Sequence, residues 1–291
     1  MGNQVLDRVM AVADQLRDQA VEAERIGRLP DETVKVLKAA GNIRLLQPST
    51  YGGYEAHPRE FAETVMATAA LDPASGWING VVGFIPTSSP TRIPDSWDVV
   101  GLRGTGSKDV IVKDAFIPHH RAMNPTEVMD GTAQRDSGLT QTLYQMPWST
   151  MFPLGNTSAV IGIAEGALAA HLDYQRNRVT AARTAIKDDP YVLYAIGEAA
   201  ADINAARQEL LANVDRIYDI VDTGAEVPFA DRAAGRRTQI RAAWRAVMAV
   251  DHWRDAHVGL AHAIHLPGTT FHASALSSFG VDPVGPLRAM I

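Results

Sequence analysis

Trp97–Pro118, WDVVGLRGTGSKDVIVKDAFIP, is a strand-turn-strand pattern set in a sequence otherwise written for helices. Two strands bury too little to stand alone in water. The hairpin must therefore dock on the helices or on a second subunit, or be the edge of a larger sheet. Its turn, Leu102-Arg103-Gly104-Thr105-Gly106-Ser107-Lys108, has three glycines that permit tight curvature, and Arg103, Thr105, Ser107 and Lys108 offer donors to an anionic or oxygen-rich group. A polar turn with no ligand is the alternative reading of the same residues.

The rest of the chain is patterned at helical spacing. Val5, Val9, Val12, Leu16 and Ala20 recur three or four apart and predict one helix over Gln4–Arg25. Pro30, followed by Asp31 and Glu32, opens a second helix that Gly41 ends. Tyr51-Gly52-Gly53-Tyr54 reads as a loop, and Pro58–Leu71 and Ser75–Val82 as further helices. Ala122–Pro147 reads as a long polar surface connection. Three long helices follow, over Thr150–Arg183, Pro190–Thr223 and Pro228–His265, with breaks at Asp188-Asp189-Pro190 and Asp222-Thr223-Gly224. An antiparallel bundle of these would bury Ile161, Leu168, Leu172, Ile196, Ile203, Leu210, Ile217, Ile240, Trp244 and Val247.

Charge and cysteine content narrow the function. A net charge of −6 argues against a nucleic-acid surface, so Arg232, Arg236, Arg237 and Arg241 read as a solvated helix face. No apolar run is long enough to span a membrane, since Ala159–Ala170 is broken by Gly162, Glu165 and Gly166. Zero cysteines exclude disulfides, thiolate catalysis and cysteine-based zinc sites, and fit a cytoplasmic protein.

Several motifs together resemble one family. Trp97–Pro118 is similar to the end of the central β-domain of the acyl-CoA dehydrogenase fold, in its branch of two-component flavin-dependent monooxygenases. Leu29-Pro30-Asp31-Glu32, Gln47–Tyr54 and Asp72–Trp77 look like that branch's entry helices, and Trp253–His257 and Phe271–Leu276 like its closing segment. The resemblance implies a mainly α fold with an N-terminal helical domain (1–83), a truncated central β segment (84–122) and a C-terminal antiparallel helix bundle (123–291). It also implies an oxygenase component that hydroxylates an aromatic or polycyclic, steroid-like substrate with O2 and reduced flavin, FMNH2 or FADH2, supplied by a separate reductase. A dimer or tetramer is expected from the same resemblance. Acyl-CoA dehydrogenase chemistry proper is disfavoured, because Pro267-Gly268-Thr269-Thr270 stands where a catalytic Glu would be expected.

Two stretches of the family pattern are absent. Only Phe84–Ser96 stands where most of a β-domain of about a hundred residues would lie, and the glycine-containing loop expected between Asp251 and Trp253 is missing. Both absences remove flavin contacts. Either the chain descends from the family without its flavin site, serving as a binding or assembly module or as a cofactor-independent cyclase or isomerase, or the protein has segments outside these residues. Abrupt joints favour the second.

Among chemistry-bearing residues, His262 and His265 lie three apart on one helical face. No metal site is expected from them, since no third ligand falls in register. A phenol must lose its proton before its ring carbon attacks a flavin hydroperoxide, and histidine is suited to that transfer. The resemblance gives this part to a C-terminal histidine, best matched by His262 and next by His265; capping of a helix end is the alternative. Arg176 and Arg178 match family arginines that reach the flavin across a subunit boundary, and arginine suits phosphate. With Arg103, Thr105 and Ser107 they are the expected flavin contacts. Trp77, Trp148 and Trp253 are the expected walls of an aromatic substrate pocket, with burial in the core as the alternative.

Overall fold

The computed structural model describes residues 3–80, 91–92, 96–97, 99, 103–109, 111–112, 124–176 and 189–255. Two short helices, α1 (Gln4–Met10) and α2 (Ala13–Ile26), replace the single helix expected over Gln4–Arg25. The apolar stripe continues through the break, with Val5, Val9 and Leu16 buried, so periodicity alone gave no warning of it. Val12 leaves helical geometry (φ −113°, ψ 19°) between the two. Asn3 caps α1 by accepting from the Leu6 amide and ties the cap inward by donating to the Glu60 carbonyl and to Thr64.

Helix α3 (Asp31–Ala40) starts after Pro30 and stops at Gly41, whose φ of +91° lets the chain turn without a Cβ clash. Helix α4 (Pro58–Leu71) is almost wholly buried, and α5 (Pro73–Gly80) is capped by Asp72, which accepts from the Ala74 amide and from the Ser75 hydroxyl. The segment expected to be an open surface connection instead forms α6 (Pro125–Asp130), α7 (Thr132–Arg135) and α8 (Thr142–Gln145). Leu143 and Met146 anchor its end in the core. Asn124 caps α6 ahead of Pro125, a start signal that the polar composition hid.

Three long helices complete the molecule: α9 (Trp148–Arg176), α10 (Pro190–Asp222) and α11 (Phe229–Asp255). They pack on one another, and α9 also packs on α4 and α5. The backbones of α4 and α9 meet closely: a Cβ on Gly162 would lie 2.1 Å from the Met66 carbonyl oxygen, and one on Gly166 2.5 Å from that of Ala70. The larger of two buried clusters joins Phe61, Met66 and Trp77 to Leu154, Ile161, Leu210, Leu211, Ile217 and Val247, and a smaller one gathers Val9, Leu16, Leu29, Leu37 and Leu71 among α1 to α4. Each fully buried aliphatic of this set contributes about 1.5–3 kcal/mol of transfer free energy. Arg59 extends the contact to α10 through Asp215 while also pairing with Glu63 at 3.0 Å. Of the residues expected in the bundle core, Leu172 is exposed, and Leu168, Ile196 and Trp244 are half-buried.

The β structure differs from the expected hairpin. A two-residue strand β1 (Thr91–Arg92) pairs antiparallel with β2 (Ile111–Val112), so the first strand lies before Trp97 rather than after it. The glycine-rich turn forms a 3-10 turn, Arg103–Thr105, packed on α2 and α5. Docking on helices, which the instability of a lone hairpin required, is thus observed for the turn. Among the described residues no helix is long and apolar enough to cross a membrane.

Candidate active site

A cavity of about 90 Å³ opens where α5, α9 and α11 meet. Helix α9 presents Phe152, Pro153, Asn156, Thr157 and Val160, positions that recur on one helical face. Helix α11 presents Arg236, Gln239, Ile240 and Ala243, at i, i+3, i+4 and i+7, and α5 contributes Trp77. The amide of Gln239, 1% exposed, donates to the Thr150 carbonyl at 2.8 Å, and the Thr157 hydroxyl donates to the Gln239 carbonyl at 3.4 Å, stitching α9 to α11 beside the cavity. The Gln239 Oε1 and Asn156 Oδ1 atoms are buried without a hydrogen-bond partner. Burial pushes the Arg236 guanidinium below its ordinary arginine value. From the cavity-lining Phe152 the aromatic wall continues outward to Trp148: each is 45% exposed, and their ring centroids are 5.6 Å apart.

The structure brings together two of the three expected tryptophans: Trp77 lines the cavity and Trp148 stands at its mouth through Phe152. The side chain of Trp253 lies outside the described residues, as do Arg178, His262 and His265. Arg176 sits exposed in the last turn of α9, paired with Asp173 at 3.2 Å. At the glycine-rich turn, Arg103 is exposed and the Thr105 and Ser107 hydroxyls lie 3.2 Å apart. The Gly104 amide donates to Glu24 at 3.4 Å. An acidic side chain at that turn opposes the anion-binding role read from its donors. Sequence reasoning missed Phe152, Asn156, Arg236 and Gln239. The i, i+3, i+4 and i+7 spacing on α11 was visible, but the arginine read as a solvated face because nothing in the sequence shows which side of α11 meets α9. A wider groove of about 690 Å³ along α10 is open to solvent, and two of its three charged residues are paired, Asp215 with Arg59 and Arg216 with Asp231.

The fold and this interhelical site define an acyl-CoA dehydrogenase-like protein, and the profile of the acyl-CoA dehydrogenase C-terminal domain matches residues 154–252. A pigment production hydroxylase of Rhodococcus erythropolis is 46% identical over 393 aligned positions spanning 100% of both chains. The flavin-dependent monooxygenase oxygenase subunit HsaA of Mycobacterium tuberculosis is 30% identical over 378 positions, covering 96% of each. The crystal structure of that HsaA monooxygenase superposes with a TM-score of 0.85, over 99% of this chain and 96% of the other, at 30% identity. The chain belongs to the oxygenase components of two-component flavin-dependent monooxygenases, and is an oxidoreductase of that class. Such oxygenases work with O2 and with reduced flavin supplied by a separate reductase.

An alignment of 393 positions is longer than 291 residues, so the Rhodococcus hydroxylase carries stretches with no counterpart here. Among the described residues, strand structure is one pair of two-residue strands, and the cavity of about 90 Å³ is well below the ~300 Å³ or more that a cofactor-sized ligand fills. This cavity by itself is too small to hold a flavin.

Proposed function

We propose that this protein hydroxylates an aromatic ring, with the cavity between α5, α9 and α11 as its substrate end. The observation that supports the reading is the joining of an aromatic wall, Trp77, Phe152 and Trp148, to the unpaired Asn156 Oδ1 and Gln239 Oε1 in one cavity. Flat rings suit such a wall, and a few placed polar groups fix their orientation. Trp253 is proposed as a further wall of the same pocket. The relatives support the substrate class: a resorcinol hydroxylase and a p-hydroxyphenylacetate hydroxylase are 25% and 24% identical over 81% and 62% of this chain.

The partner is a flavin reductase, and the acceptor of its product is this chain. Dependence on such a reductase, together with the absence of cysteine, supports a cytoplasmic enzyme. His262 is the proposed base that ionises the substrate hydroxyl, with His265 the second candidate. Arg103, Thr105, Ser107, Arg176 and Arg178 are the proposed flavin contacts, of which Arg103 and Arg176 are exposed and within reach of a partner subunit. A homodimer or homotetramer is proposed as the assembly, supported by the exposed Tyr191, Leu193 and Tyr194 at the start of α10. Light scattering at micromolar concentration checks it, and a monomer there removes the intersubunit role of Arg176.

The experiment that tests the function combines the protein with a flavin reductase, NADH, flavin and a panel of phenols. The expected result is substrate-dependent O2 uptake with a hydroxylated product. His262→Ala should lower turnover about a hundredfold, the scale of losing a general base, with a deficit that shrinks as pH approaches the substrate's own pKa. Unchanged turnover across pH removes His262 from the mechanism.

A further inference from the structure

The polar end of the cavity is built for charge, which a slot for a neutral ring does not require. Arg236 is half-buried, and among the described residues no acceptor pairs with its guanidinium. Two other arginines of α11 have partners: Arg232 donates to the Val227 carbonyl, and Arg245 reaches Glu209 and Asp202; Arg241 has none among the described residues but is exposed to solvent. A guanidinium does not escape the cost of burial by losing its proton, so it stays a cation awaiting an anion.

Two acceptors complete the set. Gln239 is held by its Nε2 bond to Thr150, which leaves Oε1 as the carbonyl without a partner, and Asn156 Oδ1 is likewise buried and unpaired. Both line the same cavity as Arg236. Unmade bonds of this kind are rare in folded proteins and are completed by a ligand or by water. Around them the walls are apolar: Trp77, Pro153, Val160, Ile240 and Ala243.

Size decides how a ligand lies. A cavity of ~150 Å³ is enough for benzene, and this one measures about 90 Å³. A polar substituent with the edge of its ring enters, while the body of the ring stays at the mouth on Phe152 and Trp148.

We infer that Arg236 makes this cavity an oxyanion subsite, which takes the phenolate or carboxylate oxygen of an aromatic substrate while the Gln239 and Asn156 carbonyls accept from a neighbouring hydroxyl or water. The inference rests on the aromatic-substrate reading above and adds its specificity-determining residue. An arginine paired with an anionic oxygen favours the ionised form, so the same contact helps hold a phenol as phenolate.

Isothermal titration of the purified full chain, without flavin or reductase, tests this with three probes: benzoate, 4-nitrophenolate and neutral benzyl alcohol. The wild type should bind at least one anion about ten- to a hundredfold more tightly than Arg236→Gln does. Arg236→Lys should recover part of the difference, and benzyl alcohol should bind all three proteins alike. Loss confined to 4-nitrophenolate assigns the subsite to phenolate, and loss confined to benzoate assigns it to carboxylate. Should Arg236→Gln fail to fold, Asn156→Asp decides, because a carboxylate beside Arg236 should abolish anion binding while sparing benzyl alcohol. Anion affinity that is absent in the wild type, or unchanged in the variants, overturns the inference. Since no turnover is read, a protein that binds the anions but never hydroxylates contradicts only the functional reading.

Discussion

Phe152 and Trp77 share one cavity but answer different experiments. Trp77 is 8% exposed, and removing a core tryptophan costs about 3–5 kcal/mol, so loss of activity in Trp77→Ala would not separate folding from binding. Phe152 is 45% exposed and holds little of the core. Phe152→Ala should therefore melt close to the wild type, within about 1 kcal/mol, while raising the KM for an aromatic substrate about tenfold. An unchanged KM removes Phe152 from the substrate wall. Asp72 carries a pH prediction. Burial, opposed by its bonds to Ser75 and Ala74 and reinforced by the charge of Glu24, holds its carboxyl above the ordinary value. The folded state thus binds this proton more tightly than the unfolded chain. The resulting stabilisation is fully present below the unfolded value of about 3.9 and is lost as pH rises through the raised folded one. Asp72→Asn should cap α5 still and lack this slope, so the stability difference between wild type and variant should shift in favour of the variant as pH rises through that window. Urea unfolding of both proteins at several pH values reads it, and parallel curves would count against a titrating Asp72.

Helices that carry their own start and stop chemistry were legible; those shaped by their neighbours were not. Pro58–Leu71 and the Pro190 start of α10 stand where the sequence put them, because proline in the first turn and an apolar face act locally. The break between α1 and α2 was invisible, since the stripe through Val9, Val12 and Leu16 keeps helical spacing across it. Helices α6 to α8 were read as coil because their polar composition outweighed the Asn124-Pro125 cap. The strand register was missed because a short pairing is decided by what lies beside it. Gly162 and Gly166 were taken as interruptions of an apolar run, yet they are what lets α9 lie against the α4 backbone. Gly162→Ala puts a methyl where the Met66 carbonyl oxygen stands, against an intrinsic helix gain of about 1 kcal/mol. Overpacking costs about 1–3 kcal/mol and more where backbone must move, so the variant should be destabilised despite its better helix propensity. A thermal melt equal to or above the wild type would contradict the close α4–α9 contact.

At the scale of the whole molecule, the helical scaffold and its family were legible from several motifs taken together, while the polar end of the site was not. Arg236, Gln239 and Asn156 come from helices 80 or more positions apart or at different depths of one turn pattern, and only packing of α11 on α9 turns a surface arginine into a cavity wall. The central claim is that this chain inserts an oxygen atom into an aromatic ring. Its most direct measurement is mass spectrometry of product formed under 18O2, with a reductase, NADH, flavin and a phenolic substrate. The account predicts one 18O atom on the ring, formed only when this protein is present. Unlabelled or absent product, from protein shown to be folded and supplied with reduced flavin, would contradict it and return the scaffold to a flavin-free role.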